Sequence, residues 1–172
     1  EQKSHQHELG NSLAVGITGS IAVGKSALAS LLIEKLDRAG VPSSYLSVDK
    51  QRAELLERDL RSKMLRRALV LALGREIVTP HGFINRRRLA EIIDYDNQAL
   101  KLYEEIMDPV IADEIQRFVA NGRGIKIVEW ALLVEKKLLH LVNYNVVLVQ
   151  CSRKEQLRRL SGGDLAPKQI RS

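Results

Sequence analysis

Cysteine, aromatic residues and long apolar runs are all scarce in this sequence, and each scarcity narrows what it can be. The single cysteine, Cys151, excludes an internal disulfide framework and suits a reducing, cytoplasmic compartment. Cys151 itself is expected to be a small buried residue at the end of a strand. Aromatics make up 4% of the residues, which leaves few platforms on which single-stranded bases could stack. No apolar run approaches the ~18 positions of a membrane-spanning helix, so no membrane partner is expected. Repeats and low-complexity tracts are missing as well. The opening "EQKSHQHELGNS", residues 1–12, is polar and without periodicity. It reads as a disordered tail or expression remnant and is set aside from the fold.

What is present is ordinary for a globular chain. With 172 residues, 45% hydrophobic and 28% charged, the sequence suits one domain, or a core with a modest insertion, able to bury a real interior. The net charge of +6 points to anionic partners, of which phosphorylated small molecules and nucleic acid are the two classes. No nucleic-acid-binding motif accompanies the charge, so no specific nucleic acid is expected.

The informative stretch is "VGITGSIAVGKSAL", residues 15–28. Gly19 to Ser26 fits G-x-x-x-x-G-K-[ST], and it sits between a strand-like run (Leu13 to Thr18) and a helical pattern (Lys25 to Ala39) closed by Gly40. In that context the backbone N–H groups of the loop and the helix N-terminus can hold a polyphosphate. Gly19, Ser20, Ile21, Ala22, Val23, Gly24, Lys25, Ser26 and Ala27 are therefore expected to bind ATP. Lys25 would reach the β- and γ-phosphates and the Ser26 hydroxyl would ligate Mg²⁺. The Asn/Thr-Lys-x-Asp signature of a GTPase does not occur.

Three further short runs read as buried strands: "SSYLSVD" (43–49), "IKIVE" (125–129) and "NVVLVQC" (145–151). Residues 50–120 read as almost all helix. Leu55, Leu56, Leu60, Met64 and Leu65 form one stripe, Asn85 is a cap, and Pro109 interrupts a long helix that closes at Gly122. An α/β shell with a helical insertion after the second strand follows. Asp49 and Glu129 both end expected strands on the carboxyl edge, where open α/β sheets bind ligands. An acid there can accept an acceptor hydroxyl's proton, or hold Mg²⁺ through water.

With these parts assembled, the chain resembles the dephospho-coenzyme A kinases. "GITGSIAVGKS" is similar to that family's phosphate loop, and "SVDKQRAELL" to its D-x-D-x-x-A-x-x-L. The long stretch from Gly74 to Ile111 is similar to its G-x-[LI]-x-R-x-x-L and later His-Pro, and "VEWALLVEKKL" to its acid-x-P-L-L-[FV]-E. The resemblance implies a P-loop kinase-like three-layer α/β/α core with a parallel sheet, a helical substrate-binding insertion and a lid. It divides the chain into a nucleotide-binding core (13–49 and 121–160), a helical acceptor region (50–120) and a partial lid (161–172). The implied reaction is ATP-dependent phosphorylation of the ribose 3′-hydroxyl of dephospho-CoA. Asp49 falls at the family's proposed catalytic base and works beside Lys25. Leu55, Arg86 and Glu135 fall at acceptor-binding positions, and Glu129 is a candidate to reach the magnesium through water. Arg87 and Arg88 are expected to face solvent or other anions. A monomer or weak homo-oligomer is expected.

Several positions depart from the family pattern. Ser20 and Ala22 replace loop glycines, and Ala22 is tolerable there only if its φ stays negative. Ser47 replaces the first aspartate of the pair, Asp108 the histidine of His-Pro, and Ala131 the proline of P-L-L. In the tail, Gln156, Arg159 and Leu160 match Q-x-x-R-L, but Gly163 stands at the lid arginine's place. Two alternatives stay open: a P-loop kinase for another small metabolite, and a nucleotide-binding module with impaired catalysis.

Overall fold

In a computed structural model of the protein, residues 12–57 and 60–161 are described. The tail assigned to 1–12 lies almost wholly outside them, as does the partial lid beyond Ser161. The described chain folds as two compact units, one holding the residues up to Leu46 and from Gln116 onward, the other Ser47–Ile115.

The first unit is built on a four-stranded sheet of order β2-β3-β1-β4, with β1 Ser12–Thr18, β2 Ser43–Ser47, β3 Gly124–Glu129 and β4 Val146–Leu148. Strand β1 runs parallel to both β3 and β4, with Val15 opposite Ile127 and Ile17 opposite Glu129 and Val147. Its central position explains its composition: Ala14 and Ile17 are wholly buried, as a strand covered on both faces requires. Helix α1, Lys25–Arg38, lays Leu28, Leu32, Ile33 and Leu36 against Ile17, Ala29 and Ile127. Those spacings of three and four residues put one stripe on the sheet, and each of these half-buried side chains contributes part of the ~1.5–3 kcal/mol of full burial. Helix α6, Arg153–Ser161, closes the described part of this unit.

The second unit is helical. It contains α2 Val48–Glu57, α3 Leu60–Leu73, α4 Arg86–Tyr95 and most of α5 Asn97–Ala120. Asn85 caps α4 as expected, its side-chain oxygen accepting from the Arg88 N–H at 3.1 Å. Asp96 does the same for α5, accepting from Gln98 and Ala99.

The α/β architecture with a helical middle is as expected, but four local expectations change. Pro109 lies inside α5 without ending it. Tyr103, Met107, Ile111 and Ile115 are all buried at four-residue spacing, so packing along one face outweighs the one backbone bond that proline removes. Met64 does not join the apolar stripe and is 80% exposed, while Leu55, Leu56 and Leu65 are buried. The second strand stops at Ser47, so Asp49 stands in the first turn of α2 rather than at a strand end. The fourth strand is three residues long, so half-buried Cys151 lies beyond its end.

Candidate functional site

The glycine-rich turn between β1 and α1 is the first element of the site. Gly19 has φ +139, and a Cβ there would lie 2.3 Å from the Val149 carbonyl oxygen, so only glycine lets β1 leave the sheet at this point. Gly24, at φ 106, caps α1, and no side chain makes a capping hydrogen bond to its first N–H groups. Between them Ala22 has φ +60, so the condition of a negative angle is not met. Its Cβ is carried in the left-handed region because the loop demands it there, at a cost of roughly 1–2 kcal/mol.

The loop is braced from the other side by α6. The Gln156 side-chain amide donates to the Ile21 carbonyl at 2.9 Å, and Arg159 Nη1 donates to the Ala22 carbonyl at 3.2 Å. Arg159 is itself held by Glu155 at 2.8 Å. The Arg158 and Arg159 guanidiniums bonded to Glu155 hold its carboxyl down at about 2, well below the usual range.

Lys25, Ser26 and Glu129 meet Arg159 around a cavity of about 330 Å³. Lys25 is buried and folds back to donate to the Ser20 carbonyl at 2.8 Å. The Ser26 hydroxyl donates to Glu129 Oε1 at 2.7 Å, and the Tyr45 hydroxyl donates to the other carboxylate oxygen. Glu129 is therefore gripped at both oxygens, at the end of β3 and 6% exposed. Two cations, a helix N-terminus and one pinned carboxylate face the same space, which suits a polyphosphate accompanied by a hard cation.

The helical unit carries a second cavity, of about 350 Å³, lined by Asp49, Arg52, Leu56, Arg86, Arg87 and Tyr103 among others. Three guanidiniums and one carboxylate give it a positive balance. Arg52 Nη2 lies 3.5 Å from Asp49 Oδ1, and the same guanidinium stands beside the Tyr103 hydroxyl. Burial pushes the Tyr103 hydroxyl's pKa up, partly opposed by that arginine. Of the residues expected to bind acceptor, Arg86 reaches this cavity. Leu55 is buried beside it but does not line it; its neighbour Leu56 does. Glu135 is exposed in the turns after β3 and lines neither cavity. Arg87 and Arg88 are exposed: Arg87 pairs with Glu91, and Arg88 with Glu76 at 2.6 Å and with Glu91.

A family model described as dephospho-CoA kinase (CoaE) matches residues 13–169. The chain belongs to the dephospho-CoA kinase family. That family's activity is the ATP-dependent phosphorylation of dephospho-CoA in coenzyme A biosynthesis, so the chain is a kinase by family. A protein named dephospho-CoA kinase from Nitrosospira multiformis is 29% identical over 148 residues, covering 86% of this chain and 70% of that one. Another of that name, from Geobacter sulfurreducens, is 31% identical over 154 residues, covering 87% and 73%. The crystal structure of TT1252 from Thermus thermophilus superposes with a TM-score of 0.70 at 26% identity, covering 93% of this chain and 77% of that one.

Measured against the family pattern D-x-D-x-x-A-x-x-L, the alanine position is Arg52. That departure is the signal by which the sequence could have flagged this arginine. Tyr45 carries no such mark, because a tyrosine in a strand normally reads as packing. Arg159 is visible as part of Q-x-x-R-L, though only the docking of α6 on the loop explains its direction.

Proposed function

We propose that this protein transfers the γ-phosphoryl group of ATP to the ribose 3′-hydroxyl of dephospho-CoA, releasing ADP and coenzyme A. The observation that carries the reading is the cavity in which Lys25, Ser26, Glu129 and Arg159 surround the N-terminus of α1. Such a set has little use except to hold and neutralise phosphates.

In this reading the loop from Gly19 to Ala27 holds the triphosphate through its N–H groups. Lys25 exchanges the Ser20 carbonyl for the β- and γ-phosphates. Asp49 orients the 3′-hydroxyl and takes its proton as the new O–P bond forms. The bond from Pγ to the β–γ bridging oxygen breaks in the same displacement, the electron pair staying with ADP. Arg86 holds the acceptor's phosphates, a task for which a bidentate guanidinium is well shaped. Leu55 supports the wall through Leu56, and Glu135 is assigned to the acceptor side by its place in the motif alone.

The residues present fit a magnesium ion. The Ser26 hydroxyl and the Glu129 carboxylate are hard oxygen donors 2.7 Å apart, and no group of three or more His, Cys, Asp or Glu capable of enclosing a metal occurs among the described residues. Magnesium in phosphoryl-transfer sites is held in that way, through few protein oxygens together with phosphates and water. When bound it would neutralise charge on the β- and γ-phosphates. Among the described residues no helix is long and apolar enough to cross a membrane, and with one cysteine we place the reaction in the cytoplasm.

The test is ADP release on addition of dephospho-CoA, followed by Asp49→Asn. The substitution keeps the shape and removes the base, so turnover should fall by ~10²-fold or more with ATP affinity nearly intact. Turnover on another metabolite alone would move the assignment to a different kinase. Nucleotide binding with no transfer to any acceptor would leave an impaired module.

A further inference from the structure

We propose that Arg52 is a positioning residue for phosphoryl transfer, fixing the Asp49 carboxylate in the cavity of the helical unit from a seat on Tyr103. The inference rests on the reading of Asp49 as the base that receives the acceptor's proton.

Asp49 stands in the first turn of α2 with its side chain 56% exposed. An aspartate there is free to swing back onto nearby backbone N–H groups, which is why the residue is common at helix starts. A base that must meet one hydroxyl needs a single direction instead. Arg52, three residues later on the same face of α2, lies 3.5 Å from Asp49 Oδ1. A guanidinium on a long side chain would itself be mobile, but this one stands beside the hydroxyl of Tyr103, which is 6% exposed on α5 and lines the same cavity. Tyr103 is the rigid member, a core residue of the helical unit that also lines the cavity. The direction therefore runs from the buried phenol through the guanidinium to the carboxylate.

Stability does not account for the arrangement. Asp49 and Arg52 are both exposed enough to be solvated separately, and pairs of that kind contribute about 0–1 kcal/mol. What sets the pair apart is where it points. Asp49, Arg52 and Tyr103 all line one cavity, so an acceptor filling it displaces the water that screens them and strengthens the hold. Arginine at 52 also departs from the alanine of the motif, so this chain holds its base by a side chain that the pattern does not supply.

The experiment is steady-state kinetics of Arg52→Ala, Arg52→Lys and Tyr103→Phe with dephospho-CoA, each with its melting temperature, and Arg52→Ala repeated on Asp49→Asn. Arg52→Ala should lower kcat/KM for dephospho-CoA roughly ten-fold, equivalent to ~1.4 kcal/mol, mostly in kcat, with the KM for ATP unchanged. Lysine at 52 should restore most of the loss, and Tyr103→Phe should give a smaller loss of the same kind. On the Asp49→Asn background Arg52→Ala should cost nothing further, because the carboxylate it positions is gone. An unaffected Arg52→Ala enzyme, or a loss that tracks melting temperature and raises both KM values, overturns the inference while leaving the dephospho-CoA reading intact. A wild-type chain inactive on dephospho-CoA overturns both.

Discussion

Ala22→Gly is expected to make the protein more stable, although it removes a methyl group and puts glycine into a loop. Ala22 has φ +60 between two glycines, in the left-handed region where a Cβ crowds the following carbonyl for roughly 1–2 kcal/mol. Glycine has no such penalty, but it loosens the unfolded chain by about 0.4–1 kcal/mol. The difference favours glycine by ~0.5–1 kcal/mol, and at ~2–4 °C per kcal/mol for a chain of this size the melting temperature should rise by roughly 1–4 °C. No hydrogen bond is lost, because Arg159 bonds the backbone carbonyl of residue 22 and not its side chain. Thermal denaturation followed by the fluorescence of Trp130, the sole tryptophan, or by calorimetry would measure the shift. A lower melting temperature would refute the strained angle and return Ala22 to a negative φ. The nucleotide-bound state offers a second check: if the loop has the same shape with ATP, the increment should persist at saturating ligand.

Two other perturbations test the frame around that loop. Gly19→Ala puts a Cβ 2.3 Å from the Val149 carbonyl oxygen at φ +139, so it should lower the melting temperature and abolish ATP binding by calorimetry; Gly40→Ala, at φ +68 with nothing within 4 Å, should cost only about 1 kcal/mol and spare binding. Acid should loosen α6 from the loop: the Glu155 pKa is depressed from 4.5 to about 2, so its contribution is full above 4.5 and fades as pH falls toward 2. Glu155→Gln should therefore flatten the stability profile in that window and leave it unchanged in slope near neutrality, as read by denaturant midpoints across pH.

The parts of this molecule that were legible beforehand are those set by short-range rules. The strand–loop–helix around Gly19 and Gly24, the Asn85 cap and the helical middle all follow from glycine's angles, a side-chain oxygen at the right offset and periodic leucines. Pro109 escapes the local rule because four buried residues on one face of α5 decide the outcome. Met64 fits the stripe by spacing, yet its exposure is set by where α3 packs, which spacing alone does not encode. Asp49 lay two residues beyond the point where β2 gives way to α2, and boundaries of that kind depend on whether the next turn finds a helical partner.

The candidate site divides along the same line. Lys25 and Ser26 come from one contiguous motif, and Glu129 joins them because β3 pairs with β1 in a register that sets Ile17 opposite Glu129. Tyr45 could not be reached that way, and for Arg159 and Arg52 the motifs mark the position but not the partner that each side chain touches. The three share a role. Tyr45 holds one oxygen of Glu129, Arg159 holds the carbonyl of Ala22, and Arg52 lies against Asp49. Where the chain departs from its family pattern at Ala22, Arg159 holds the backbone of the altered residue, and at the alanine position of the acidic motif the new side chain lies against Asp49. Phosphoryl transfer depends on position and charge far more than on covalent chemistry from the protein, so residues that only hold others still bear on it directly. The prediction for Arg52→Ala distinguishes this from coincidence, because a mere surface pair would leave kcat untouched.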